Sequence, residues 1–391
     1  MRSHVILRGV IVPDAGMLPW FERLGETVPG LEPLDAHTHI GYNDPDGFRC
    51  SREQLVGSLE RIDARAFVFP MHEPDGYRAA NDMVIDEAAE SDGRLFPFCR
   101  LDPHSEDPLA EAERALGRGA RGIKLHPRAE NFALDHAGLE PVFALADERR
   151  LPVLVHAGRG IPALGRDALK VTGRHPGLRL ILAHAGISDL SWIWREAPDH
   201  PNLFFDTSWW APADVQALIA LVPPGQILMA SDAPYGSPTW AVVMTTRNAL
   251  QLGLGADQAR AIAGGQALRL VNGEEPLDLG PPPGGDRLPH DPLLDRVYSF
   301  LLSAIGQAFN GVEPAETAAL VRLACDVGDD APQAPVCRWV LELLDQRDGY
   351  SPEGDGRPTR FAPGMHFFIG ALGIVRTPDV PLPAFRAPAD G

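Results

Sequence analysis

The stretch Asp35-Ala36-His37-Thr38-His39-Ile40-Gly41 decides how the rest of the chain is read. Two histidines stand two apart in a short run with strand character. A strand repeats every second residue, so both imidazoles point to the same side. Paired imidazoles on one strand are half of a divalent-metal site. An isolated His-x-His is more often a core histidine beside a satisfied polar neighbour, so the remaining ligands must come from elsewhere in the chain.

Working outward, residues 31–272 show a rhythm of short apolar runs alternating with longer segments of helical spacing. Eight runs read as strands, ending near His39, Met71, Cys99, Leu125, Val155, Ala183, Asp206 and Ser231. Eight is the number a (β/α)8 TIM barrel requires. Prolines in the second and third runs argue for edges or bulges there. Residues 51–62, 107–116, 139–149, 213–221 and 257–270 have helical spacing, the first behind a Ser51 N-cap.

Residues 1–30 form a loop-rich lead-in with a strand-like segment at 5–12. The barrel is assigned to 31–275. A Pro-Pro-Pro-Gly-Gly linker at 281–285 precedes a small helical C-terminal region, 286–391. Its segments 292–309, 314–327 and 335–347 have helical spacing. The tail after Tyr350 is rich in Pro and Gly and reads as a wrapping or mobile strap.

The chain has 391 residues, 45% of them hydrophobic, and a formal net charge of −18. A core of barrel size is therefore affordable in length. So acidic a chain is a poor partner for nucleic acid or anionic membrane. No run approaches the roughly 20 apolar residues of a spanning helix, and no signal peptide is read. Four cysteines without a Cys-x-x-Cys pair read as reduced thiols, and the expected compartment is cytoplasmic.

Polar residues fall just where the candidate strands end. His156 follows Val153-Leu154-Val155, His184 follows Leu180 to Ala183, and Asp232 follows Met229-Ala230-Ser231. Lys124 lies inside Gly122-Ile123-Lys124-Leu125-His126-Pro127. In a barrel all these ends meet on one rim, where active sites of this fold lie. Each alone is a capping or turn group; together with His37 and His39 they make a metal site.

This constellation resembles the amidohydrolase superfamily, in its amidohydrolase-related branch of mononuclear zinc hydrolases and decarboxylases. The resemblance rests on residues 35–39, 122–127, 154–158, 182–186 and 231–236, and it does not extend into the C-terminal region. It implies one zinc ion held by His37, His39, His156 and Asp232. It implies that Asp232 also serves as base and that His184 polarises the carbonyl or steadies an oxyanion. Zinc lowers the pKa of its water to about 7, supplying hydroxide near neutral pH.

Lys124 is open to three readings: a carboxylated bridge between two metals, a charged group near the substrate, or a structural ion pair. One metal is favoured. Arg100 and Arg159 are candidates for gripping a substrate carboxylate. His72 and the Trp209-Trp210 pair are weaker rim candidates, and His126 reads as a local turn residue. The leading function is hydrolysis of an amide, lactone or related carbonyl bond of a small molecule. The alternative is non-oxidative decarboxylation of an aromatic or unsaturated acid. The resemblance also leaves room for a homo-oligomer.

Overall fold

The computed structural model describes residues 15–158, 163–350 and 364–385. The strand-like segment expected at 5–12 lies outside these residues, as does Arg159. Eight parallel strands run in chain order around a barrel: β1 Leu34–Ile40, β2 Arg65–Pro70, β3 Leu95–Arg100, β4 Gly122–Leu125, β5 Pro152–Val155, β6 Arg179–Leu182, β7 Leu203–Asp206 and β8 Ile227–Leu228. This is the expected TIM barrel.

The strands are apolar on both faces because one faces the barrel interior and the other faces helices. Phe67, Phe69, Phe98, Leu154, Ile181, Phe204 and Leu228 fill the interior. The rings of Phe67 and Phe98 stack at 4.6 Å. Gly122 makes this possible, since a Cβ there would stand 2.6 Å from the Phe98 ring.

Pro97 is not an edge residue. It pairs in register with Val68 inside the barrel wall, and its carbonyl accepts from the Arg121 backbone N–H at 2.7 Å. The wall tolerates it because only one N–H is forgone. Ser51 caps the helix Arg52–Glu60 through a reciprocal box with Gln54, as its sequence predicts.

The seam between β8 and β1 is thin. β8 has two residues, and closure rests on a single bridge between Thr38 and Ala233. Two backbone bonds support it, Ala36 N–H to the Met229 carbonyl at 2.9 Å and His39 N–H to that of Ala233 at 2.7 Å. The Asp35 carboxylate adds a third link by accepting from the Ser231 N–H at 2.9 Å. β1 carries a register shift between Asp35 and Thr38.

The lead-in contains the helix Leu18–Thr27, and the C-terminal region contains helices Pro292–Phe309, Ala315–Ala324 and Ala334–Asp348. A fourth, Met365–Val375, corrects the reading of the tail as a strap. Trp20, Leu301, Val340 and Phe368 share one buried cluster with Leu55, Leu59 and Val242 of the barrel's outer helices. Each such side chain contributes about 1.5–3 kcal/mol on burial. Arg247, buried against Trp20, donates to Thr377 Oγ1 at 2.9 Å and to the carbonyls of Thr377 and Pro381 at 2.8 and 3.0 Å, tying the chain's end to the barrel. Among the described residues no helix is long and apolar enough to cross a membrane.

Candidate metal centre and its surroundings

The rim at the strand ends gathers the expected residues from five strands. From β1 come His37 and His39, and from the turn after β8 comes Asp232. One ligand atom of each lies within 4.8 Å of the others. Asp232 Oδ1 stands 3.1 Å from His37 Nε2 and 3.2 Å from His39 Nε2.

The protonation pattern can be deduced. His37 Nδ1 lies 2.8 Å from Asp206 Oδ2, and an ionised carboxylate only accepts. The proton therefore sits on Nδ1, and the Nε2 lone pair is left facing Asp232. Burial, followed by the nearby Lys124 charge, holds both His37 and His39 well below the usual imidazole range, so both are neutral. Two acceptors confronting each other across 3.1 Å are favourable around a shared cation. A carboxylate behind a ligating imidazole is also the usual support of a metal site. His39 likewise turns its Nε2 toward the same Asp232 carboxylate oxygen. The donor set fits a divalent ion.

Asp206, at the end of β7, is the organiser that sequence reading did not single out. It is fully buried, and its Oδ1 accepts from the N–H groups of His184 and Ser208, at 2.9 and 3.0 Å, and from the Ser208 hydroxyl. Its only signal in the sequence is a carboxylate ending a run of Leu203, Phe204 and Phe205. Asp35 serves the other side of the seam, and burial pushes its carboxyl up to about 7.

Lys124 projects from β4 into the centre, with Nζ 3.2 Å from His37 Nε2 and over the Phe69 ring at 4.4 Å. Burial pushes its ammonium down to about 7, against the pull of Asp232. The same burial pushes Asp232 up to about 6, against His184 and Lys124. Burial thus disfavours the charged form of both groups at the same point.

His156 and His184 form a second pair beside the compact group. His184 Nδ1 donates to the Ser208 carbonyl at 2.9 Å, and its Nε2 meets His156 Nδ1 at 2.9 Å. The Ser208 carbonyl cannot donate, so His184 carries a proton on Nδ1, and in that tautomer its Nε2 accepts from His156 Nδ1. His156 Nε2 is then the ligand-competent nitrogen. His126 stacks on His156 at 4.0 Å, a closer involvement than its reading as a turn residue implied. It also caps the short helix Pro127–Glu130 by accepting from the Ala129 N–H.

His184 and Asp232 both have left-handed backbones, with φ of 58° and 59°. Such geometry in non-glycine residues is held by its surroundings and concentrates at functional sites.

Arg100, a candidate for gripping a substrate carboxylate, lines the cavity above the centre. Its guanidinium is buried and paired with Glu130 at 2.7 Å, over the Tyr77 ring, and Tyr77 donates to the same Glu130 oxygen. Its charge is already compensated. Glu130 was invisible as its partner because thirty residues of chain separate them.

Above the centre opens a cavity of about 1000 Å³. Its lower wall holds His37, His39, Lys124, His156, His184 and Asp232. Phe48, Met71, Trp209, Trp210 and Trp240 make much of the rest. His72 also lines it.

A (β/α)8 barrel with His-x-His on its first strand and an aspartate after its eighth defines a metal-dependent enzyme class. Residues 34–273 match the amidohydrolase family, and the chain belongs to it. Comparison with curated proteins finds no match. Among solved structures, an uncharacterised TIM-barrel protein from Bordetella bronchiseptica is 18% identical, over 62% of this chain and 99% of that one, with a TM-score of 0.50. The 5-carboxyvanillate decarboxylase of Sphingomonas paucimobilis is also 18% identical, over 62% and 99%, with a TM-score of 0.46. A 2,6-dihydroxybenzoate decarboxylase from Rhizobium is 16% identical, over 62% and 98%, with a TM-score of 0.46. At these identities the likeness concerns the fold.

Proposed function

We propose that the protein is a divalent-metal-dependent enzyme, using one zinc ion, that removes the carboxyl group of a small aromatic or unsaturated acid without oxidation. The observation that carries this reading is the wall of the cavity. Phe48, Met71, Trp209, Trp210 and Trp240 give the cavity beside the ligand group a large apolar share, among polar residues such as His72, Arg100 and Ser208. A carboxylate taken into such surroundings loses hydration worth several kcal/mol, and release of neutral carbon dioxide relieves that cost. The ion would act as a Lewis acid on the carboxyl oxygens.

His37, His39 and Asp232 would hold the ion, with His156 Nε2 as a further ligand. As the carbon–carbon bond breaks, its electron pair stays on the ring or alkenyl carbon, which then takes a proton. Lys124, whose ammonium is pushed down by burial and whose Nζ lies 3.2 Å from His37 Nε2, would be the group within reach to deliver it. Asp206 and Ser208 keep the imidazoles of His37 and His184 oriented.

A second reading, hydrolysis of an amide or lactone, is favoured by the Arg100–Glu130 pair. A decarboxylase would use a free arginine to grip its acid, and Arg100 is already engaged. In that reaction Asp232 would take the proton of the attacking water and His184 would polarise the carbonyl.

The test is a zinc-loaded preparation assayed on parallel panels of aryl and alkenyl acids, amides and lactones. Stoichiometric carbon dioxide, with deuterium from heavy water at the vacated carbon, supports decarboxylation. Bond cleavage without carbon dioxide overturns it in favour of hydrolysis.

A further inference from the structure

The helix Met365–Val375 lies beyond the residues that match the family, 34–273, yet it reaches the same cavity. Met365, His366 and Ile369 line it together with Phe309, the last residue of the helix Pro292–Phe309. The contact is built into the sequence. A Cβ at Gly370 would fall 1.7 Å from the Trp240 ring, and one at Gly373 would fall 2.2 Å from Met244 Sδ. Two glycines three apart thus let the helix Pro238–Gln251, which carries Trp240 and Met244, press against the backbone of Met365–Val375. On the other side Phe309 meets Trp210 at 5.4 Å, and Trp210 meets Trp209 at 6.0 Å. Trp209 in turn lies 6.4 Å from the His184 ring. A row of rings runs from the catalytic rim to the C-terminal helices.

The volume agrees with this extent. About 1000 Å³ is at the upper end of the roughly 300–1000 Å³ of pockets that bury drug-sized ligands, well above the need of one benzene ring. We infer that the C-terminal helices form a specificity wall, and that the substrate is an extended acid. Its carboxyl end sits at His37, His39 and Asp232. A second ring or long unsaturated arm lies between the tryptophans and Phe309, Met365 and Ile369. The inference rests on the reading above in one respect, that a carboxyl group occupies the metal centre.

The experiment measures binding to the full-length, zinc-loaded protein by calorimetry, using benzoate and biphenyl-4-carboxylate as probes. The expected result is biphenyl-4-carboxylate binding at least tenfold tighter than benzoate. In Ile369→Trp, which fills the outer wall, that ratio should collapse toward one. Phe309→Ala, which removes a ring from it, should lower the ratio several-fold and serves where the bulkier variant does not fold. Equal affinities in the parent protein, binding of neither probe, or a ratio unchanged in the folded variants would overturn the inference. Preference for the longer acid with no carbon dioxide release from any acid would retain the wall and remove the decarboxylase reading. Carbon dioxide release with equal binding would do the reverse.

Discussion

Replacing Asp206 by Asn should damage metal binding although Asp206 touches no metal. The carboxylate fixes the His37 proton on Nδ1 and keeps Nε2 free. It also accepts from two backbone N–H groups and the Ser208 hydroxyl. Asparagine is nearly isosteric but has one acceptor oxygen. If that oxygen stays with the N–H groups, its amide NH2 faces His37 Nδ1, and the imidazole must move its proton to Nε2 to accept. The ligating lone pair is then lost. If the amide flips, two backbone donors in a fully buried site go unsatisfied, at about 1–3 kcal/mol each. Loss of such support behind a metal-bound histidine typically weakens metal affinity 10–100-fold, about 1.4–2.7 kcal/mol. Competition of Asp206→Asn against a chromogenic zinc chelator measures this directly, with circular dichroism to show that the barrel is intact. Affinity equal to that of the parent protein would refute the tautomer argument.

Elemental analysis of His39→Ala and Asp232→Ala should show little or no bound metal. His184→Ala should retain most of its metal while turnover falls about 10²–10⁴-fold; loss of metal in step with activity would make His184 a ligand instead. Arg247→Ala leaves the Thr377 and Pro381 carbonyls without their charged donor and should cost about 3 kcal/mol, read as a lower midpoint in urea unfolding. Burial pushes the thiols of Cys50 and Cys99 up to about 12, so neither is thiolate at pH 8. Mass mapping after brief alkylation should find both unlabelled in the native protein and labelled in denaturant, and fast native labelling would contradict their burial.

The barrel was readable because its strands end in a repeated pattern, an apolar run followed by a polar group and a Gly or Pro turn. His37, His39, Lys124, His156, His184 and Asp232 all carry that pattern, and all six line the cavity. Asp206 also ends an apolar run, but Thr207 and Ser208 follow it in place of a Gly or Pro turn, so it looks like any capping carboxylate. Its function depends on a partner 169 residues away. The pairing of Arg100 with Glu130 was hidden for the same reason. The helix Met365–Val375 escaped notice because it is apolar on every face, so no 3.6-residue alternation marks it. Its length and its bounds, Gly364 and Thr377-Pro378, were the available signals. Whether His156 joins His37, His39 and Asp232 depends on sub-ångström placement, which spacing along a chain does not encode.

The two-residue β8 gives the centre another meaning. His37 and His39 stand on one side of the barrel's narrowest join, and Asp232 stands on the other. An ion shared by them would rivet the first staves to the last. Metal loading is then expected to raise the unfolding temperature as metal concentration increases above its dissociation constant, which a thermal melt at increasing zinc concentration would read. The chain would be most easily pried open at the very place where its chemistry is assembled, so filling the centre both arms the enzyme and locks its hoop.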